Sequence, residues 1–280
     1  MKAIALDMDG TVLNDDHIIS YELIDYIQYL QKKNYYVFLA TGRTISDIEG
    51  VLPAELTPDG IAAANGMTAV AREEVLADEV VDEKLIHSII EENRKHRLYY
   101  EIHTKDGQRL VFKEDEVFLM EELEDPKPET VKDHEWNSRQ KVWQEDLTIV
   151  DGIDLSQVLK IYYFTKDQEK LENWKVALGG KNEPFVTSSS SEHNVEVMKE
   201  GVSKASALEL LLDHYGVAAD DMMAIGDGGN DIPMLELAGR PVVMQNAPEE
   251  LKDQFPETTS HPNTENGVYK FLIEIFGEKE

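Results

Sequence analysis

The sequence contains no cysteine, which excludes disulfides, thiolate metal sites and cysteine nucleophiles. Basic residues are scarce: 27 lysines and arginines stand against 56 aspartates and glutamates, a formal charge of −29. That balance opposes nucleic acid and anionic bilayers as partners, because both are polyanions. Long hydrophobic runs are also missing. The first apolar stretch, Ala3 to Leu6, is interrupted by Asp7 and is far too short for a signal segment or a membrane span. The expectation is a cytoplasmic protein with neither a membrane nor a nucleic-acid partner.

What is present suffices for two domains, since the chain has 280 residues and 41% hydrophobic content. Five short runs have the length and character of buried parallel strands: KAIAL (2–6), YYVFLAT (35–41), GIAAANG (60–66), MMAIGDG (222–228) and PVVMQN (241–246). Helical spacing lies between them, at 20–33 with Leu23, Ile24, Ile27 and Leu30 on one side, and at 204–216. Strand alternating with helix predicts an α/β fold with a doubly wound parallel sheet. Residues 84–199 break that pattern. A helix at 84–96 leads to two alternating runs around KDG (97–112), then an acidic polar stretch (113–135), the run KIYYFTK (160–166), a further helix and two strands around a serine-rich turn. The pattern predicts an α+β domain inserted into a core made of 1–83 and 200–280.

In open α/β sheets ligands bind beyond the carboxyl ends of the strands. Those ends carry Asp7 and Asp9, then Thr41, Gly42 and Arg43, then Asn65 and Gly66, then Asp227, Asn230 and Asp231. Two carboxylates about 4 Å apart repel by roughly 4 kcal/mol at an effective dielectric near 20, so clustered acids need a counter-charge. A hard divalent cation such as Mg²⁺ supplies it and leaves room for a substrate phosphate. Read as an EF-hand loop, DMDGTVLNDDHI fails at Val12 and Ile18; read as a dinucleotide fingerprint, GDGGND fails at Asp231. Thr41 and Gly42 can cradle an oxyanion, and Lys204 can balance the charge of acids and phosphate. One aspartate can attack phosphorus while its neighbour moves the protons, which explains a pair of acids at 7 and 9.

DMDGTVL (7–13), ATGR (40–43), Lys204 in GVSKASAL and GDGGNDIPML (226–235) resemble, in order, the four signature motifs of the haloacid dehalogenase superfamily. AANG (63–66), PVVMQNAPEELK (241–252) and NGVYKFL (266–272) look like its Cof-type phosphatases, so the resemblance spans the chain. It implies a Rossmann-like core and a cap domain at 84–199 that selects the substrate. It also implies Asp7 as nucleophile and, with Asp227 and the main-chain carbonyl of Asp9, as a ligand of Mg²⁺. The Asp9 side chain would be the general acid and base. Thr41, the backbone of Met8 and Gly42, Lys204 and Asn230 would hold the phosphoryl oxygens, with Asp231 supporting the metal and Arg43 orienting the substrate. Gln245 before Asn246, and Gly229 before Asn230, depart from many relatives.

The expected activity is hydrolysis of a small phosphorylated metabolite, such as a sugar, nucleotide or cofactor phosphate, through an aspartyl-phosphate. A phosphotransferase or phosphomutase would use the same intermediate, and a phospho-ligand sensor would not need Asp9. Candidate substrate contacts in the inserted domain are Tyr99, Tyr100, Glu101, His103, His193 and above all Glu196. The expected assembly is a monomer or homodimer.

Overall fold

The computed structural model describes residues 1–278 and, among them, every side chain but that of His134. By packing, the chain divides into two compact units: Met1–Asp78 together with the segment from Val202 onward, and Glu79–Gly201.

The first unit opens with β1 (Ala3–Leu6), α1 (Tyr21–Lys32), β2 (Tyr36–Ala40), α2 (Ile45–Glu49), β3 (Gly60–Ala63), β4 (Thr68–Ala71) and β5 (Glu74–Asp78). The second unit contains α3 (Glu83–His96), β6 (Tyr99–Thr104), β7 (Arg109–Phe112), α4 (Glu116–Leu123), α5 (Asp133–Lys141), β8 (Leu147–Val150), β9 (Val158–Phe164), α6 (Gln168–Gly179), β10 (Phe185–Ser188) and β11 (Asn194–Lys199). The chain then returns to the first unit with α7 (Lys204–Tyr215), β12 (Met222–Gly226), α8 (Ile232–Leu237), β13 (Arg240–Val243), α9 (Glu249–Lys252) and α10 (Gly267–Phe276).

The first unit is built on a sheet of order β13-β12-β1-β2-β3-β4-β5. The five strands from β13 to β3 are parallel, as the sequence predicts, and an antiparallel hairpin of β4 and β5 extends the far edge. β1 is apolar at every position because both faces of a parallel sheet are covered. Alternate residues enter separate cores: Ile4 and Leu6 join Leu23, Ile27 and Leu30 of α1 and Phe271 and Leu272 of α10, while Ala3 and Ala5 join Leu208 and Leu211 of α7 and Met234 and Leu235 of α8. Burying a leucine or isoleucine this way contributes about 1.5–3 kcal/mol. The small alanines on the second face leave room for α7 to lie close.

The two helices that frame the site are fixed at their starts. Ser20 accepts a hydrogen bond from Leu23 N at the head of α1. Ser203 and Ser206 exchange reciprocal bonds at the head of α7, which sets Lys204 in its first turn, and Gly216 ends that helix in the left-handed conformation.

The second unit is an α+β fold on a sheet of order β10-β11-β9-β6-β7-β8, antiparallel except for the β7–β8 pair. Trp174 of α6 packs on Tyr163 of β9, ring centroids 4.9 Å apart. On the other face of β9, Arg139 of α5 lies 4.5 Å from the ring centre of Tyr162 and pairs with buried Glu101. Among the described residues no helix is long and apolar enough to cross a membrane.

Candidate active site

Three neighbouring strands deliver the acidic and polar groups to one end of the first unit's sheet. Asp7 directly follows β1, and its N–H still bonds to Ile225 O of β12 at 3.0 Å. Thr41 follows β2, its N–H on Ala62 O of β3 at 2.8 Å. Asp227 follows β12, and a single 3₁₀ turn, Gly229–Asp231, folds Asp231 back beneath it.

Lys204 is the hub. Its side chain is wholly buried, and Nζ lies 2.6 Å from Asp7 Oδ1 and 2.5 Å from Asp231 Oδ1. Burial alone would favour loss of its proton, but the charges of Asp231 and Asp7 and their hydrogen bonds outweigh this and hold its pKa well above that of an ordinary lysine. Asp231 Oδ2 accepts the main-chain N–H groups of Asp227 and Gly228, each at 2.9 Å. Both oxygens of Asp231 are therefore engaged, Oδ1 by Lys204 and Oδ2 by the turn. Asp7 differs: its Oδ1 is held by Lys204, and among the described residues no hydrogen bond holds Oδ2.

Asp7, Asp227 and Asp231 each offer a carboxylate oxygen within 4.8 Å of one another. One ammonium does not balance three acids. Desolvation first, then repulsion from Asp231, raises the pKa of Asp7 well above the usual carboxylate range, and the same two causes push Asp227 up to about 7. An all-oxygen donor set with surplus negative charge fits a hard divalent cation, with Asp7 and Asp227 the carboxylates that have ligand capacity to spare. Thr11 Oγ1 donates to Asp227 Oδ1 at 3.2 Å, and Asn246 Nδ2 donates to Gly10 O at 2.9 Å. Gly10, at φ 77°, passes so close to Asp227 that a Cβ there would stand 2.2 Å from Oδ2.

Asp9 is half-exposed and accepts two bonds from Arg43, from Nε at 2.7 Å and from a terminal nitrogen at 2.5 Å. His17 Nδ1 lies 3.6 Å from the same carboxylate. Desolvation opposes ionisation of Asp9, but nearby His17, the two bonds from Arg43 and the Arg43 charge more than offset it, so its pKa falls well below the ordinary range. Thr41 is buried, and its Oγ1 accepts the N–H of Arg43 at 3.1 Å. Asn230 Nδ2 donates to Asn65 Oδ1 at 3.2 Å. The Met8 side chain belongs to the apolar core, which leaves only its backbone for a ligand.

The structure thus brings together Asp7, Asp9, Met8, Thr41, Gly42, Arg43, Lys204, Asp227, Asn230 and Asp231. Glu196 lies on β11 of the second unit, where Lys160 Nζ bonds to it at 2.5 Å. Of the other candidates there, Tyr99 OH donates to Glu101 at 2.6 Å, His103 Nε2 lies 2.9 Å from the same carboxylate, Tyr100 OH donates to Asp115 at 2.7 Å, and buried His193 sets Nδ1 2.9 Å from Thr165 O while its Nε2 has no partner among the described residues. Thr11, His17 and Asn246 also touch the site but receive no role from the sequence. Thr11 and Asn246 stand inside stretches that resemble family motifs, so position was their only signal; His17 had none.

The sequence model of the haloacid dehalogenase-like hydrolases matches residues 4–272. A 5-amino-6-(5-phospho-D-ribitylamino)uracil phosphatase of Bacillus subtilis (strain 168) is 29% identical, with 98% of each chain covered. An HMP-PP phosphatase of Citrobacter koseri is 26% identical over 90% of this chain and 87% of its own. Among solved structures, a haloacid dehalogenase-like hydrolase from B. subtilis superposes with a TM-score of 0.82 at 27% identity, covering 99% of this chain and 100% of the other.

Proposed function

The chain belongs to the haloacid dehalogenase-like hydrolases, and we propose that within them it is a Mg²⁺-dependent phosphatase that cleaves the monoester of a small phosphorylated metabolite through an aspartyl-phosphate on Asp7. The observation that carries this reading is the arrangement of Lys204 between Asp7 and Asp231, with the second oxygen of Asp7 left open beside Asp227. The phosphatase names of the relatives at 29% and 26% identity support it.

A hard cation held by Asp7, Asp227 and the main-chain carbonyl of Asp9 would neutralise the acids and the incoming phosphate and polarise the phosphoryl group. Every other task falls to the chain itself. Lys204 favours the ionised form of Asp7 and fixes its Oδ1, so that Oδ2 can attack phosphorus. As that bond forms, the ester oxygen departs with its electron pair and takes a proton from Asp9. Water then attacks the same phosphorus, Asp9 recovers the proton from it, and the Asp7 carboxylate leaves with phosphate released. In the structure Arg43 and His17 hold Asp9 as a carboxylate, the form that accepts a proton. The donor form requires that Arg43 let go, and an anionic phosphoryl group competes for that guanidinium. Thr41, the backbone of Met8 and Gly42, Lys204 and Asn230 supply the donors for the phosphoryl oxygens. Choice among metabolites is assigned to the inserted unit, with Glu196 as its candidate contact.

The test is release of inorganic phosphate from p-nitrophenyl phosphate. Asp7→Asn is expected to lower kcat by roughly a thousandfold or more while the fold persists, and EDTA is expected to abolish turnover until Mg²⁺ is restored. Full activity in EDTA, or an active Asp7→Asn variant, would sink the reading.

A further inference from the structure

The turn that closes β3 holds two successive non-glycine residues at positive φ, Ala64 at 48° and Asn65 at 52°, followed by Gly66 at 100°. L side chains rarely adopt that region, and glycine would occupy it without strain. Asn65 is only 3% exposed, so its amide is buried within the turn.

The same turn touches most of the groups assigned to the phosphoryl oxygens. Ala64 N bonds to Arg43 O at 2.7 Å and Asn65 N to Thr41 O at 2.9 Å. A Cβ on Gly42 would lie 3.3 Å from both amide atoms of Asn65, so that amide lies flat against the Gly42 backbone. A Cβ on Gly66 would lie 2.0 Å from Ser203 O, so the turn is seated against the start of α7 that carries Lys204. Finally, Asn65 Oδ1 accepts from Asn230 Nδ2 at 3.2 Å.

An asparagine amide can turn over about its last torsion and exchange donor for acceptor. Turned over, Asn230 would show its carbonyl oxygen to a phosphoryl oxygen and repel it. As long as Asn65 presents Oδ1, as it does here, that orientation is disfavoured, because two acceptor oxygens would then face one another. With one N–H spent on Asn65, the second N–H of Asn230 is left to donate. We infer that Asn65 is a positioning residue: its amide oxygen selects the orientation in which Asn230 donates to the phosphoryl group. The inference rests on the phosphatase reading for the role of Asn230.

Asn65→Gly tests it, since glycine accepts the backbone conformation and removes only the amide. Its melting temperature is expected to equal or exceed that of the parent protein. Its kcat/KM for p-nitrophenyl phosphate and its calorimetric affinity for inorganic phosphate in Mg²⁺ are each expected to fall about tenfold, the worth of one oriented hydrogen bond. In an Asn230→Ala background the same change is expected to have no further effect, a coupling that a purely structural role would not produce. Unchanged phosphate affinity in Asn65→Gly, or losses that multiply in the double variant, would overturn the inference. A parent protein that hydrolyses no ester yet binds phosphate with this dependence on Asn65 would overturn the phosphatase reading and leave the inference standing.

Discussion

At the scale of single residues, the charge balance turns on Lys204. Without its ammonium, the carboxylates of Asp7 and Asp231 are left buried and unpaired, and breaking one partner of a buried pair costs about 3–5 kcal/mol. Lys204→Met is expected to lower unfolding free energy by about that much at pH 8 without divalent metal. At pH 5 the loss should be smaller, because Asp7, already raised in pKa, takes up a proton and ceases to be a charge. Urea unfolding at both pH values measures the difference; equal losses would contradict the picture. Asp227 predicts a slope in the parent protein. Its folded-state value of about 7 exceeds the unfolded value near 3.9. The folded chain therefore binds the extra proton, and this contribution to metal-free stability declines as pH rises from about 4 to 7. Added Mg²⁺ is expected to restore stability above pH 7, seen as a rise in melting temperature that is absent at pH 5.

The elements show how much of this could be read beforehand. Runs such as KAIAL and MMAIG were legible because strands buried on both faces are apolar throughout, and the acids that follow them stand out by contrast. The α1 stripe was legible for the same reason: Leu23, Ile24, Ile27 and Leu30 are buried as the periodicity requires. Other elements were hidden. β4 and β5 carry only four and five residues with mixed polarity, too short to show a clear alternation, and they form as successive hairpins, β4 onto β3 and β5 onto β4. The stretch 60–66 reads as strand to its end, yet β3 stops at Ala63 because Ala64 and Asn65 turn left-handed. Within the stretch 113–135, read only as acidic and polar, α4 forms and α5 begins; α4 buries Phe118, Leu119 and Leu123. The contact of Arg43 with Asp9 was likewise invisible, since it joins the ends of two different strands.

A turn can be tested as a unit at Gly10. Alanine there must adopt φ near 77° and place a methyl group 2.2 Å from Asp227 Oδ2, so either the turn after β1 or the Asp227 carboxylate has to move. Gly10→Ala is expected to raise the Mg²⁺ concentration for half-maximal activity by tenfold or more. Titration of activity against Mg²⁺ decides it, and an unshifted curve would show that the close approach is dispensable.

At the scale of the whole molecule, the formal charge of −29 surrounds a site meant for an anion. Long-range repulsion should slow the approach of a dianionic ester, and salt should relieve it, since the screening length shrinks from about 30 Å at 0.01 M to about 8 Å at 0.15 M. With Mg²⁺ saturating, kcat/KM for dianionic esters is expected to rise over that range of ionic strength, opposite to an electrostatically steered enzyme. A fall would mean that the local cations outweigh the rest of the surface.

β1 lies between β2 and β12 in the sheet. It leaves the ribosome well before one of its two neighbours, Met222–Gly226, which emerges only after the entire inserted unit. During synthesis Ala3–Leu6 must therefore wait with one row of amides and carbonyls unmatched, a naked apolar edge able to pair with another nascent chain. Chains cut short before Met222 should be recovered as aggregates or bound to chaperones, because the partner that seals β1 is made only after the inserted unit.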